Sequence, residues 1–357
     1  MLCIHPAGVS FLVCTYNGAD RIAETLVCLA QQDVSADVPW EIILVDNAGT
    51  DGTSATAYAA WEQLGRPAPL HVLNEPRPGK QHALEMALAQ VQYRYTCIVD
   101  DDNRLTPDYL RVGLELLESN PQVGILGGPN TATFAGPEPA WFPDFQQCYA
   151  VGPQLDYASG LLRPLADGSI GHNVLWGAGM FVRTAVWQAL RGAGFESLFS
   201  GRQGEANLTA GEDDELCYAV LLLGYEVWYS TRLHLRHHMA AGRLTTAYRD
   251  RLFYASARST TRLNAYRNAL WGNPAGATGV NLAKDLGYAL SGQLRKMLAP
   301  AFIRSAWAGS TLHRMLPVHS LSVVADGLLH FGRVKGYYEH VGALKRRLAA
   351  APRPTDV

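Results

Sequence analysis

Short apolar runs alternate with helically spaced apolar positions through the first hundred residues. Val9-Ser10-Phe11-Leu12-Val13-Cys14 ends in the turn Thr15-Tyr16-Asn17-Gly18, after which Ile22, Leu26 and Leu29 recur at helical spacing. Glu41 to Val45 reads as a second buried strand, ended by Asp46-Asn47 and a Gly-rich turn before an Ala-rich helix. Leu70 to Leu73 predicts a third strand, His82 to Val91 a helix, and Thr96 to Val99 a further strand. This alternation predicts an α/β fold with a doubly wound, mostly parallel sheet flanked by helices. Ligands of such sheets collect beyond the carboxyl ends of the strands, where Thr15, Asp46 and Asp100 to Asp102 fall. Later in the chain, Glu212-Asp213 opens an apolar helix over Leu216 to Leu223. Leu282, Leu286, Leu290, Leu294 and Met297-Leu298 recur every three or four residues, with Lys284, Arg295 and Lys296 on other faces, which predicts an amphipathic helix.

Composition narrows the class. With 357 residues, 48% hydrophobic and 17% charged, the chain can bury a large core, which excludes a disordered or fibrous protein. No apolar run approaches the roughly 20 residues that span a bilayer. Met1 to Pro6 lacks the charged segment and long apolar core of a secretory signal, so a cytoplasmic location is expected. Cys3, Cys14, Cys28, Cys97, Cys148 and Cys217 are scattered without a CxxC pair, which points to free thiols rather than a zinc site or disulfides. The net charge of −2 hides a division: residues 240–357 hold 17 Lys and Arg against 5 Asp and Glu, leaving 13 against 27 before them. A basic segment of this kind can meet phosphate or an anionic membrane surface at the inner face of a membrane. No nucleic-acid motif accompanies it, and no nucleic-acid partner is expected.

Asp100-Asp101-Asp102-Asn103 directly follows the apolar run Tyr95 to Val99. Adjacent carboxylates raise one another's pKa, a cost that a hard cation removes. Magnesium or manganese is commonly held by one or two carboxylates and leaves other positions to water and substrate phosphates. A solvated loop or helix cap uses the same residue types, so both readings stand at this level.

Taken in order, several pieces resemble the inverting family-2 glycosyltransferases of the GT-A fold. They are Val13-Cys14-Thr15-Tyr16-Asn17, Val45-Asp46-Asn47, Gly79-Lys80-Gln81-His82-Ala83, Val99-Asp100-Asp101-Asp102 with Pro107 downstream, Gly177-Ala178-Gly179-Met180, and Gly211-Glu212-Asp213-Asp214-Glu215-Leu216. The series covers roughly residues 9 to 243. It implies a glycosyltransferase domain over 1–244, followed by a basic, mainly helical region over 245–357.

The resemblance implies roles residue by residue. Thr15, Tyr16, Asn17 and Asp46 form a nucleotide pocket in which a carboxylate accepts the imide hydrogen bond of uracil, favouring a UDP-sugar donor; a turn cap is the structural alternative for Asp46. Lys80 lies near the nucleotide, or is a solvated loop lysine. Asp100 and Asp101 count among the nucleotide contacts and Asp102 is the ligand of Mg²⁺ or Mn²⁺. Asp213 is the base that takes the acceptor hydroxyl's proton, with Asp214 and Glu212 adjoining; the alternative is ordinary acidic helix N-terminal charge. Trp176, Gly177 and Glu212 suit a sugar ring, although Trp176 also fits a core. His234, His237 and His238 precede Arg243, and the spacing favours His237 on the metal and Arg243 on phosphate, against packed or capping roles. Many relatives have a proline after the histidine pair where this chain has Ala240.

The implied activity is transfer of a sugar from a nucleotide diphosphate to a saccharide or lipid-linked saccharide hydroxyl in polysaccharide or glycan assembly. A sugar-nucleotide nucleotidyltransferase is the alternative enzyme, but it calls for a Gly-rich basic phosphate loop that Thr15 to Arg21 does not resemble. An inactive glycan-binding relative is the other, and intact Asp102 and Asp213 speak against it. Beyond 244 the basic residues, Lys345-Arg346-Arg347 among them, fit either a packed helical cap or attachment at a membrane surface.

Overall fold

A computed structural model of the chain describes residues 5–199, 210–271, 278–307 and 311–350. Cys3 and the side chains of Leu282 and Lys296 lie outside the described residues. The continuous apolar runs become strands buried along their length: β1 (Val9–Thr15), followed by α1 (Ile22–Ala30), and β2 (Trp40–Asn47), followed by α2 (Thr53–Gln63). The more polar β3 (Leu70–Glu75) precedes α3 (Lys80–Leu88), and β4 (Tyr95–Asp100) delivers the acidic cluster. After β4 the chain forms β5 (Asn103–Leu105), α4 (Tyr109–Ser119), β6 (Val123–Gly127), β7 (Asn130–Phe134), α5 (Phe142–Phe145) and the two-residue β8 (Gly168–Ser169). Next come β9 (Met180–Arg183), α6 (Thr184–Gly192), α7 (Glu212–Leu223), β10 (Glu226–Tyr229) and β11 (Leu235–Met239).

The main sheet has the order β3-β2-β1-β4-β9-β6-β10-β8, and a small second sheet has the order β5-β11-β7. Strands β3, β2, β1 and β4 run parallel, as their sandwiching between helix layers requires. Their register sets Thr15 beside Asp46 and Cys14 beside Asp100, so three strand ends open side by side. One departure from a parallel sheet is β9, which is antiparallel to both β4 and β6. It ends on Arg183, a buried guanidinium whose Nε donates to the Val123 carbonyl at 2.5 Å and whose Nη2 donates to Leu117 at 2.5 Å and Asn120 at 3.0 Å. The Leu117 and Asn120 carbonyls close the end of α4 and the Val123 carbonyl opens β6, so the guanidinium ties β9 to both elements.

A short 3-10 turn over Ala241–Leu244 leads into α8 (Thr246–Leu270), whose start is capped by Thr245 Oγ1 accepting from the Tyr248 amide at 3.2 Å. Four more helices follow: α9 (Thr278–Met297), α10 (Pro300–Trp307), α11 (Thr311–Leu329) and α12 (Phe331–Ala350). No helix among the described residues is long and apolar enough to cross a membrane. Leu263 and Tyr266 of α8 and Val334, Val341 and Leu344 of α12 share one apolar core with Val182, Leu190 and Val220. Part of the basic segment is tied down there. Lys345 Nζ donates to the Ala269 carbonyl at 2.5 Å, and Arg347 Nε donates to the Ala193 carbonyl at 2.6 Å, which supports the packed-cap reading for that stretch. Leu294, Leu298 and Trp307 of the α9–α10 region remain exposed. Of the cysteines, Cys14, Cys28, Cys97, Cys148 and Cys217 are free thiols.

Glu215 pins α7 to its surroundings. Its buried carboxylate accepts from the Leu198 amide at 2.8 Å, the Tyr266 hydroxyl at 3.0 Å and the Ser197 hydroxyl. Burial outweighs these donors and pushes the carboxyl up to about 7. A carboxyl raised on folding favours the protonated fold, so its stabilising contribution is complete below the unfolded value and is lost as pH rises through about 7. Thermal unfolding should therefore show Tm falling between about pH 4.5 and 7 and levelling above that. In Glu215→Gln that fall should flatten, and an unchanged slope would remove Glu215 as its source.

Candidate active site

The site is built where the parallel strands end. Thr15 Oγ1 donates to Asp101 Oδ2 at 2.6 Å, and Arg21 grips the same carboxylate with two donors at 2.9 and 2.8 Å. Both oxygens of Asp101 are thereby engaged, and its backbone carbonyl accepts from Thr25 Oγ1 at 2.8 Å. Thr15 and Asp101 thus face α1 and form the floor beneath the cleft. Gly18 keeps that floor close, because a Cβ there would lie 2.2 Å from Thr15 Oγ1. Asn17 takes a left-handed φ of 48° and accepts from the Thr50 amide at 2.8 Å, tying the turn after β1 to the turn after β2. Tyr16 stands exposed at the rim.

Asp46 carries an informative defect. Its Oδ2 accepts from Ser54 Oγ at 2.7 Å, whereas the buried Oδ1 has no partner. A buried carboxylate oxygen without a donor is costly in isolation and marks a place for a ligand N–H. Gly49 leaves the approach open, since a Cβ there would sit 2.1 Å from that Oδ1. The neighbouring Asn47 holds the next loop: its Nδ2 donates to the Glu75 and Arg77 carbonyls at 3.1 and 2.7 Å, and its Oδ1 accepts from the Gly79 amide at 2.8 Å. Lys80 follows at the start of α3 and donates to Asp100 Oδ1 at 2.5 Å. Burial alone would lower the ammonium's pKa, but Asp100 and Asp213 outweigh it and hold it raised.

Asp102 lies between two nitrogen groups. Arg243 Nη1 donates to its Oδ2 at 2.6 Å, His237 Nε2 lies 3.3 Å from its Oδ1, and Arg243 Nη1 is 3.2 Å from the same imidazole nitrogen. Burial would raise the Asp102 carboxyl, but the His237 ring and the Arg243 guanidinium prevail and keep it well below the usual carboxylate range. The alternation of β11 sorts the histidines. His237 turns inward, with a buried Nδ1 that has no partner, while His238 turns away, its Nδ1 3.2 Å from Thr133 Oγ1. His234 precedes the strand. Asp102 and His237 supply a carboxylate and an imidazole to one point, and no group of three or more His, Cys, Asp or Glu among the described residues could hold a metal unaided. That donor set fits a hard divalent ion that takes its remaining ligands from water and phosphate.

The opposing wall is the first turn of α7, which holds Glu212, Asp213, Asp214 and Glu215 after Gly211 in a left-handed conformation. Asp213 Oδ2 accepts from the Gly177 amide at 2.8 Å. Burial raises the Asp213 carboxyl, Lys80 opposes it, and Glu212 and Asp100 push it further, leaving it above the ordinary value. Glu212 sits with Asp213 beside Gln81 of α3. Its neighbour Asp214 turns to the other side of α7, into a cavity of about 690 Å³ that Trp176 also lines. No described residue donates a hydrogen bond to Asp214, and burial pushes it up to about 6. Arg21 is the organising residue that motif reasoning overlooked, and Asn47, quoted within a motif, was given no role. Arg21 lies a few positions past the Thr15-Tyr16-Asn17 motif, just before α1, where spacing carries no signal, and Asn47 ends β2.

A parallel sheet opened by an acidic strand end, with a small second sheet and a helix-borne carboxylate opposite, is the arrangement of the GT-A fold. Residues 10–149 match the family model described as Glycosyl transferase family 2, the family that the sequence motifs resemble. The chain is 31% identical over 110 residues to the putative teichuronic acid biosynthesis glycosyltransferase TuaG of Bacillus subtilis (strain 168), a stretch covering 30% of this chain and 41% of that protein's length. Among solved structures it resembles the mannosyltransferase PcManGT from Pyrobaculum calidifontis in complex with GDP-Man and Mn²⁺, at 18% identity and TM-score 0.51 over 97% of this chain and 86% of that one. S. aureus TarS 1-349 in complex with UDP-GlcNAc gives 17% identity and TM-score 0.49 over 95% and 92%. The likeness to the mannosyltransferase is one of fold.

Gly177 has a steric reason to be glycine: a Cβ there would meet Asp213 Oδ1 at 2.3 Å and Cγ at 2.4 Å. Gly177→Ala should destabilise the protein by about 1–3 kcal/mol, as overpacking does. In an Asp213→Ala background most of that cost should vanish, because the clashing atoms are gone. Urea unfolding of the four chains measures the coupling, and an equal cost in both backgrounds would place the clash elsewhere.

Proposed function

We infer that the chain is a metal-dependent, inverting glycosyltransferase that moves a sugar from a nucleotide diphosphate, with a uridine donor favoured, to the hydroxyl of a saccharide or lipid-linked saccharide in glycan assembly. The observation that supports this most is electrostatic continuity across one cleft. Asp213 acts on Lys80, Lys80 is paired with Asp100, Asp100 acts on Arg243, and Arg243 bridges Asp102 and His237. A base and the cationic groups for a leaving diphosphate are thus held in one electrostatic unit.

Each residue has a role that follows from its surroundings. Asp46 Oδ1 accepts the ring N–H of the base, a donor that uracil and guanine have and that cytosine and adenine lack at that edge. Tyr16 and Asn17 flank the nucleotide, and Thr15 with Asp101 supports them from below. Lys80 and Arg243 meet diphosphate oxygens, and Asp100 orients Lys80. Asp102 and His237 would hold Mg²⁺ or Mn²⁺, which supplies charge neutralisation for the diphosphate when bound. Asp213, oriented by the Gly177 amide and raised by burial, takes the proton from the attacking hydroxyl as general base. Trp176 and Glu212 border the sugar.

Paired binding and turnover experiments test the division of labour. With Mn²⁺, UDP should raise Tm of the wild type, because a ligand of the folded state stabilises it. Asp102→Ala should abolish that metal-linked shift. Asp213→Asn should keep the shift while turnover of a UDP-sugar panel falls by roughly 100-fold or more. A UDP shift that survives chelation contradicts the metal assignment, and a larger shift with GDP replaces uridine by guanosine. Parallel losses of binding and turnover in Asp213→Asn would move the base to another acid of α7.

A further inference from the structure

The large cavity beside the cleft is built only partly by the elements that carry the transferase motifs. One wall is the 147–176 segment, with Tyr157 and Trp176; α7 contributes Asp214 and Tyr218; the far wall comes from α8 and α9, with Arg267, Trp271 and Tyr288. Its volume of about 690 Å³ is in the range of ligand cavities. Its chemistry is specific. Trp271 and Tyr288 are 60% and 74% exposed, which leaves their aromatic faces uncovered by protein. Asp214, facing Tyr157 and Arg267 electrostatically, receives no hydrogen bond from any described residue. Arg267 is fixed instead by Tyr218 Oη at 2.9 Å and Asn264 Oδ1 at 3.0 Å, and Asp285 accepts from Tyr338 Oη at 2.5 Å. Aromatic faces beside a carboxylate that receives no hydrogen bond suit a ligand with apolar C–H faces and a ring of hydroxyls. The two carboxylates against one guanidinium favour a neutral ligand over a polyanionic one.

We propose that this cavity seats a neutral acceptor oligosaccharide of more than one ring, held by stacking on Trp271 and Tyr288 at the far end and by hydroxyl donation to Asp214 at the near end, so that the C-terminal helices select the acceptor. The proposal rests on the transferase reading and extends it. Adjacent residues of α7 then face opposite ways: Asp213 looks to the donor cleft and Asp214 to the acceptor. The cationic, aromatic-bearing α8 and α9 act as a specificity wall, an account of the region that its charge alone does not supply.

The test is binding of the full chain to an array of defined mono- and oligosaccharides, with UDP and Mn²⁺ thermal shifts measured on the same samples. Wild type should retain neutral oligosaccharides of two or more rings in preference to monosaccharides. Trp271→Ala with Tyr288→Ala, two exposed positions whose change leaves the core untouched, should weaken retention at least tenfold with the nucleotide shift unchanged. Asp214→Asn should also weaken it. An array blank for wild type, or equal retention by the variants, overturns the proposal. If UDP-sugars are turned over while the array stays blank, the cavity assignment alone fails. If glycans are retained in this pattern while no nucleotide sugar is turned over, the cavity stands and the transferase reading fails.

Discussion

Four carboxylates crowd the open end of this sheet, and their compensation is the constraint on which the rest of the structure depends. Asp100, Asp101 and Asp102 are consecutive, and Asp100 lies close enough to Asp213 to raise the proton affinity of the Asp213 carboxyl. Left bare, such a group would cost stability at neutral pH. Three of the acids each have a cation instead, Lys80 for Asp100, Arg21 for Asp101 and Arg243 for Asp102, which the His237 ring also approaches, while Asp213 accepts from the Gly177 amide and feels Lys80. The side-chain partners come from four separate elements, so the compensation also fixes the turn after β1, the start of α3, strand β11 and the 3-10 turn that precedes α8.

Balance of this kind is poised rather than closed. Asp46 Oδ1 and His237 Nδ1 remain buried without partners, and Asp214 faces an open cavity. Unfilled groups of this type are unfavourable in a finished core and useful at a site, because a ligand that fills them gains what the empty site lacks. The two faces of the first turn of α7 divide the work: Asp213 is drawn toward Gly177 and Lys80, and Asp214 looks toward the aromatic wall.

Much of this was legible in the sequence. Strands β1, β2 and β4 announce themselves as continuous apolar runs, and their carboxyl ends collect Thr15, Asp46 and Asp100 to Asp102 without further information. The amphipathic repeat of α9 was equally plain. Other features could not be read. Four residues, Met180 to Arg183, are too few to reveal a strand by period, and nothing local says that they insert antiparallel between β4 and β6. The direction of Asp101 was hidden too: once β4 ends, alternation stops, and the bidentate grip of Arg21 with the Thr15 hydroxyl decides that this carboxylate faces α1. In the C-terminal region, charge counting weighed Lys345 and Arg347 as surface groups, whereas their donors end on the Ala269 and Ala193 carbonyls. Charge is visible in sequence; its partner is not.

The central claim is that Asp213 takes a proton from an acceptor hydroxyl attacking opposite the departing diphosphate. Stereochemistry reports on that directly. With an α-linked nucleotide sugar that the protein turns over, proton NMR of the anomeric position in the first-formed product should show the β configuration. A first-formed α product would mean retention, and would contradict a single displacement assisted by Asp213.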